Sequence, residues 1–482
     1  MDILHTTSLR TSDDELRKWV RRLLAGPRDP RQAFVIAESS YAALYAMAAH
    51  IQACCGGADA APVCLCAQDK AVVAAALLAS LAGGPALILP YALNPAVLDE
   101  LHQRTGFRMV VSDQSRPVPL GTRCVVPAVG PAAWPSIEAL APRSVDAEWV
   151  RLFTGGSTDT PKMWTKTVRN LMAETLAIVA NYAVTQEDRL VATVAPSHIY
   201  GLLYAVLTPL LASASVASQT PSFPSEIEAA VRQSEATILI SVPAHYRALN
   251  GHPFESPFLR LAFSSAGMLA AEDAVAFSAQ TGVGVAEIYG STETGGIASR
   301  VRAQGQTDFG PCAGIVVQVA GERLKVRSDY LSPELALLPD GYFVMGDRVK
   351  ATAGNRFGLL GRADGVVKVG GQRVDLEAVR QCLKKHPGVK DAVAISLPVA
   401  GGRENQIMAL IEADGATVDV DTMSLDTLAP YARPRGIKVV PKIPLTAAGK
   451  YDRKTIASLF KLGGQGRISN DVAGRADEMN EE

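Results

Sequence analysis

Apolar positions in the first half of the chain alternate between long and short runs. Ser39–Cys54, Lys70–Ala82 and Ala96–Thr105 are Ala- and Leu-rich stretches of helical length. Between them, Val63–Ala67, Ala86–Leu89 and Phe107–Ser112 are short apolar runs, as buried strands are. The alternation resumes with a helix at Asn170–Tyr182, a strand at Arg189–Ala195, a helix at Leu202–Leu211 and strands at Ala236–Ser241 and Val283–Tyr289. Strands apolar on both faces and separated by helices predict a parallel α/β sheet with crossover helices. The longest apolar stretch, Ala71–Ala82, stops at Gly83-Gly84-Pro85. A bilayer span needs about 20 residues, so a buried helix and no membrane span are expected.

From about Gly310 the pattern changes. Ile315–Val319, Leu324–Val326 and Arg356–Leu360 are short alternating runs separated by Gly and Pro, which predicts a β-rich portion. After Gly361 come a strand at Val366–Val369, a helix over Asp375–Lys385 with Asp375 as N-cap, and strands at Val393–Leu397 and Ile407–Ile411. The predicted class is α/β: a large N-terminal domain of several subdomains over 1–362, then a small, mobile α+β domain over 363–462. The polar, acidic residues 463–482 are expected to be a disordered tail. No internal repeat is present.

With 482 residues, 48% hydrophobic and 20% charged, the chain can bury more than one core. A net charge of −1 argues against a broad nucleic-acid footprint. The seven cysteines match no zinc spacing, and Met1–Arg10 lacks the apolar core of a signal peptide. A reduced, cytoplasmic protein is expected. Nothing in the sequence speaks to oligomeric state.

Five segments carry candidate chemistry. Phe153–Lys162 (FTGGSTDTPK) leads a strand into glycines, hydroxyls and a lysine, a composition suited to a polyanion. It is not the GxxxxGK[ST] loop, and alone it is as compatible with a polar turn. Glu287–Gly295 (EIYGSTETG) offers Tyr289 as a flat face for a purine, Thr292 for a phosphate and Glu293 as an oxygen ligand for Mg²⁺. In Gly341–Asp347 (GYFVMGD), Asp347 can accept bonds from both ribose hydroxyls, or be a structural turn carboxylate. Gly361–Asp375 sits at the compositional shift, as an interdomain hinge would. Ile443–Arg453 (IPLTAAGKYDR) places Lys450 after Gly449 on an exposed, mobile loop, where a solvated lysine is the bland reading.

In order and spacing these segments resemble the adenylate-forming superfamily: acyl-CoA synthetases, adenylation domains and luciferases. The resemblance runs from about Ser39 to Lys454. It implies that Thr154, Gly156, Ser157, Thr158 and Lys162 hold the ATP phosphates. Ala266, Gly267 and Met268 would lie against one adenine face, with Tyr289, Gly290 and Ser291 on the other side. Thr292 would serve phosphate and Glu293 magnesium, with Asp347 on the ribose. Arg362 and Arg373 would approach the nucleotide, Asp364 would be the pivot, and Lys450 the catalytic lysine. The chain departs from the family at Gly155, Asp159 and Met345, where Ser, Gly and Thr are usual; a carboxylate at Asp159 would repel the triphosphate unless it points outward.

The resemblance also places His198 beside the acid, with Thr292, Glu293 and Lys450 as the other catalytic candidates. Tyr200, Gly201, Val242, His245, Ser264 and Ser291 would line the pocket. No Asp stands where amino-acid adenylation domains bind the ammonium, so an aryl or aliphatic acid is expected. Expected co-reactants are ATP, Mg²⁺, and either CoA or the phosphopantetheine of an acyl carrier protein. A reading of another class remains: a non-catalytic nucleotide- or acyl-binding relative, supported by Asp159 alone.

Overall fold

The computed structural model describes residues 11–129, 142–154, 161–362, 365–369, 372–398, 405–413, 418, 423, 425, 428–446 and 449–461. Gly156, Ser157, Thr158, Asp159, Asp364 and the expected tail lie outside them. The chain forms two compact units. The larger comprises Met1–Met345 and Ala351–Gly358, the smaller Gly346–Lys350 and Leu359–Glu482. This division differs from one drawn by composition at residue 362. The middle of the strand Phe343–Thr352, with Asp347 in it, goes with the smaller unit.

The first-half alternation reads as one sheet in sequence but folds as two. The nine-stranded sheet runs Gly310–Pro311, Gly295–Val301, Val285–Ser291, Leu261–Ser264, Ile238–Ser241, Arg189–Ala192, Ser215–Val216, Ala33–Val35, Ser39–Ser40. Val285–Ser291 through Ala33–Val35 are parallel, and the flanking strands are antiparallel. The six-stranded sheet runs Arg123–Val125, Met109–Ser112, Val63–Cys66, Leu87–Ile88, Glu148–Thr154, Lys162–Thr167. Its last two strands are an antiparallel hairpin with Thr154 opposite Lys162.

The helix Lys70–Leu81 has no polar stripe because every residue of it is buried. Asp69 caps it by accepting from Ala71 N and Val72 N. Lys70 Nζ donates to the carbonyls of Ser218 (2.8 Å) and Gln219 (3.0 Å), fastening this helix to the chain leaving the other sheet. Burial lowers the Lys70 pKa to about 8. The helix Asp13–Ala25, to which the periodicity reading assigns no element, buries Leu16, Val20, Leu23 and Leu24 on one face. Its signal is nonetheless local: a Ser12 cap followed by three acids that complement the helix dipole.

The expected single helix Leu202–Leu211 changes its winding along its length and starts earlier, at Ile199. Leu202–Leu207 is wound as a π-helix between α-helical turns Ile199–Gly201 and Thr208–Ala212. Such π segments concentrate at functional sites. The entering turn packs so tightly that a Cβ on Gly201 would lie 2.0 Å from the Ala195 carbonyl oxygen. Gly201→Ala is expected to cost about 1–3 kcal/mol through this overpacking. A lowered thermal midpoint checks it; an unchanged one would show that the loop yields.

In the smaller unit, Asp391–Pro398 pairs antiparallel with Asn405–Glu412, which pairs parallel with Gly436–Val440. Alternate residues serve two cores. Ala392, Ala394, Ile407 and Ile411 pack with Val379 and Leu383 of the helix Leu376–Lys384. Val393, Ile395 and Leu410 pack with Ile456 of the helix Arg453–Lys461. Asp375 caps Leu376–Lys384 by accepting from Glu377 N, as the sequence predicts. No disulfide joins any of the seven cysteines. Among the described residues no helix is long and apolar enough to cross a membrane.

Candidate active site

In an open parallel sheet, ligands bind beyond the carboxyl ends of the strands. Arg189–Ala192, Ile238–Ser241, Leu261–Ser264 and Val285–Ser291 are four parallel neighbours, in register as Ile240↔Ala192, Ser241↔Ser264 and Ser264↔Glu287. His198, Tyr200, Gly201, Val242, Ser264, Ala266–Met268 and Tyr289–Glu293 all follow or end these strands. The sequence candidates of the larger unit thus come after, or at the carboxyl ends of, neighbouring parallel strands.

Polar side chains line those strand ends. Thr193 Oγ1 is 2.9 Å from Ser241 Oγ and 2.8 Å from His245 Nδ1. Burial holds the His245 pKa below its usual value, so the imidazole is neutral near pH 7. Ser264 Oγ is buried without a hydrogen-bond partner among the described residues. Tyr200 is buried, and His198 is the exposed cap residue of the turn Ile199–Gly201. Thr193 and Ser241 escape a motif search. Their signal is weak, a hydroxyl at each of two strand ends.

The segment after Leu261–Ser264 turns sharply. Ala266 has φ +68°, a region that costs a non-glycine residue energy and marks constrained sites. Ser265 Oγ donates to the Ile288 carbonyl at 3.0 Å, tying this segment to the Tyr289 strand. Ala266, Gly267 and Met268 are exposed. Tyr289 is half-buried, with ring centroids 5.7 Å from Phe309 and 5.8 Å from Phe357.

The chain next reverses through Ser291–Gly295. Ser291 Oγ is 2.9 Å from Thr294 Oγ1, which also accepts from Ser291 N. The Glu293 carbonyl accepts from Ser332 N (2.8 Å) and Lys166 Nζ (3.2 Å). This arrangement uses the turn's backbone and leaves the half-exposed Thr292 hydroxyl and Glu293 carboxylate without hydrogen bonds to the described residues. A lone available carboxylate suits Mg²⁺, which keeps several waters and binds through one or two carboxylates plus phosphates. Lys166 belongs to the strand Lys162–Thr167, so its bond to Glu293 joins that strand to this turn. Lys162 is exposed, its ammonium 3.9 Å from the Trp164 ring centroid. Thr154 ends the facing strand.

The remaining candidates lie in the smaller unit. Asp347 is half-buried within a ten-residue strand, so the turn-carboxylate alternative is corrected: this stretch pairs in a sheet instead of turning. Arg362 ends the strand Arg356–Arg362 and Arg373 lies in Gln372–Asp375. Lys450 is exposed on a turn closed by Thr446 N to Lys450 O (2.7 Å) and Lys450 N to Thr446 Oγ1 (3.2 Å). The neighbouring Tyr451 hydroxyl donates to buried Asp391 at 2.7 Å. The lysine thus stands next to a residue anchored through Asp391.

The AMP-binding enzyme model matches residues 39–335, and the AMP-binding enzyme C-terminal domain matches 379–450. The chain belongs to the AMP-binding enzyme family. It is an adenylate-forming enzyme, a ligase of the AMP-forming type. Sulfoacetate–CoA ligase of Cupriavidus necator is 27% identical over 352 residues, covering 67% of this chain and 69% of that one. Mitochondrial malonate–CoA ligase of Mus musculus is 25% identical over 478 residues, covering 83% and 82%. The fold of this AMP-binding enzyme matches ATP-bound MatB from Rhodopseudomonas palustris with TM-score 0.79 at 22% identity, over 92% of this chain and 98% of that one.

Proposed function

We propose that the enzyme uses ATP to convert an aryl or aliphatic carboxylic acid, not an α-amino acid, to acyl-AMP, and then passes the acyl group to a pantetheine thiol, CoA foremost. The carrying observation is the Ser291–Gly295 turn. It offers a hydroxyl and a carboxylate without hydrogen bonds to the described residues where parallel strands end, in the same region of chain as the exposed Ala266–Met268 segment and Tyr289. In the first half-reaction a carboxylate oxygen attacks the α-phosphorus and pyrophosphate leaves. In the second, the thiol sulfur attacks the acyl carbon and AMP leaves.

Both reactants of the first step are anions, so the site must neutralise and align them. Tyr289 and Ala266-Gly267-Met268 would hold the adenine, with Gly290 and Ser291 alongside. Gly156, Ser157, Thr158 and Lys162, with Thr154 and Thr292, would hold phosphates. Mg²⁺ bound through Glu293 would neutralise phosphate charge. Asp347 would bind the ribose, Arg362 and Arg373 would approach the nucleotide, and Lys450 would bridge the carboxylate and the α-phosphate. Asp364 would be the pivot that withdraws Lys450 between half-reactions. We assign the enzyme to the cytoplasm.

For the acid we favour an uncharged body with a hydrogen-bonding substituent. Burial favours the neutral form of His245, whose Nδ1 is engaged by Thr193, and Ser264 has no hydrogen-bond partner among the described residues; neither supplies a fixed charge for a second anionic group. His198, Tyr200, Gly201 and Val242 would complete the pocket. An acid panel scored by pyrophosphate release tests this. Hydroxylated aryl acids should outperform dicarboxylates, and no pyrophosphate release with any acid would favour a non-catalytic binding role. Offering CoA and a holo acyl carrier protein to the acyl-adenylate decides the acceptor.

A further inference from the structure

The Ser291–Gly295 turn rests on two buried ionisable side chains that no motif contains. Lys166 is fully buried, at 0% exposure, and Glu174 is 3% exposed. Lys166 Nζ donates to the carbonyls of Glu293 (3.2 Å) and Tyr330 (2.8 Å). Glu174 Oε1 accepts from Gly296 N at 2.6 Å. The carboxylate lies so close beneath the turn that a Cβ on Gly295, where φ is +69°, would be 2.4 Å from Glu174 Oε2. Beside Glu174 is a cavity of about 20 Å³, bounded by Tyr182, Tyr204, Cys312 and Tyr330. That is room for about one water.

Buried ionisable groups are weak as a stabilising device, because apolar residues of similar volume often do as well. What this pair supplies is position. An ammonium has three donors, and two of them here fix backbone carbonyls. One of those carbonyls belongs to Glu293 itself, while the carboxylate fixes the amide where the returning strand starts. The turn is held on both sides, and between the two anchors the Thr292 and Glu293 side chains make no hydrogen bond to the described residues.

We propose that Lys166 and Glu174 are positioning residues for adenylation, forming a buried clamp that sets the direction in which Thr292 and Glu293 meet the nucleotide and its metal. The clamp rests on the adenylation reading above for its consequence, though its geometry does not. Neither residue touches substrate; both act through the turn.

The test uses Lys166→Met/Glu174→Gln, which removes both ionisable groups without leaving either alone, and Lys166→Arg, which keeps the donors. Peptide-resolved hydrogen exchange over residues 289–297 reads the turn, and ATP–pyrophosphate exchange against Mg²⁺ concentration reads its use. The double variant should stay folded and exchange faster across the turn. Its half-saturating Mg²⁺ should rise about 10- to 100-fold, the scale of loss that a 1 Å displacement produces, with the KM for the acid unchanged. Lys166→Arg should recover part of both. Unchanged hydrogen exchange and metal dependence in the double variant would overturn the clamp. Loss of the whole fold would also overturn it, because the pair would then be a general stability element. A wild-type enzyme that shows no acid-dependent exchange at all counts against the proposed function instead, since the hydrogen-exchange arm needs no turnover.

Discussion

Lys450→Ala is expected to abolish adenylate formation while leaving thioester formation from presynthesised acyl-AMP largely intact. Removing a single neutral donor from a site of developing charge costs about 10²–10³-fold. An ammonium facing two anions should cost at least that much. The asymmetry follows from the proposed cycle, in which the lysine is needed only while the carboxylate attacks the α-phosphorus. Structure makes the variant clean. The Lys450 side chain is exposed, and the turn beneath it is closed by backbone and Thr446 contacts that alanine keeps. The next residue is anchored through Asp391, which Arg380 also contacts at 2.9 Å. An unchanged thermal midpoint with selective loss of ATP–pyrophosphate exchange supports the assignment. Equal loss in both half-reactions would remove Lys450 from its adenylation-specific role.

Glu293→Gln should lower ATP–pyrophosphate exchange about 10²-fold, within the range for loss of one preorganised electrostatic contact. The half-saturating Mg²⁺ should rise with it. Glutamine keeps the size of the side chain and removes only the charge. The main-chain carbonyl still accepts from Ser332 N and Lys166 Nζ, so the turn is preserved. The fold should not weaken, because the native carboxylate accepts no hydrogen bond from the described residues. A variant that keeps wild-type metal dependence would show that Glu293 does not hold Mg²⁺.

The two substitutions probe motifs plain in the sequence; the residues supporting those motifs were not equally plain. Thr292 and Glu293 stand in a short run of glycine, hydroxyls and acid that needs no partner to be noticed. Lys166 alternates with Trp164 on an inward-facing register, yet nothing local says that an inward lysine reaches the Glu293 carbonyl. Glu174 lies in the middle of Val168–Asn181, where a lone acid reads as a solvated face. Its partner, Gly296, is far along the chain. The Thr193–Ser241–His245 chain of contacts is similar, since strand register, not spacing, brings those hydroxyls together.

The sequence by itself determined the alternation of helices and buried strands, the change to a β-rich portion near Gly310, and the identity of the groups that could meet ATP. These are local matters of apolar period, cap residues and side-chain chemistry, each legible within a short window. Tertiary structure decided that the alternation divides into two sheets, that Leu202–Leu207 is wound as a π-helix, and that Asp347 sits inside a strand. It also decided which buried ionisable side chains stand beneath the Ser291–Gly295 turn. Those outcomes depend on which strand pairs with which and how closely backbones approach, as at Gly201 and Gly295. Such pairings are settled by the burial of the whole core and by hydrogen bonds between residues distant in sequence, and no single segment encodes them.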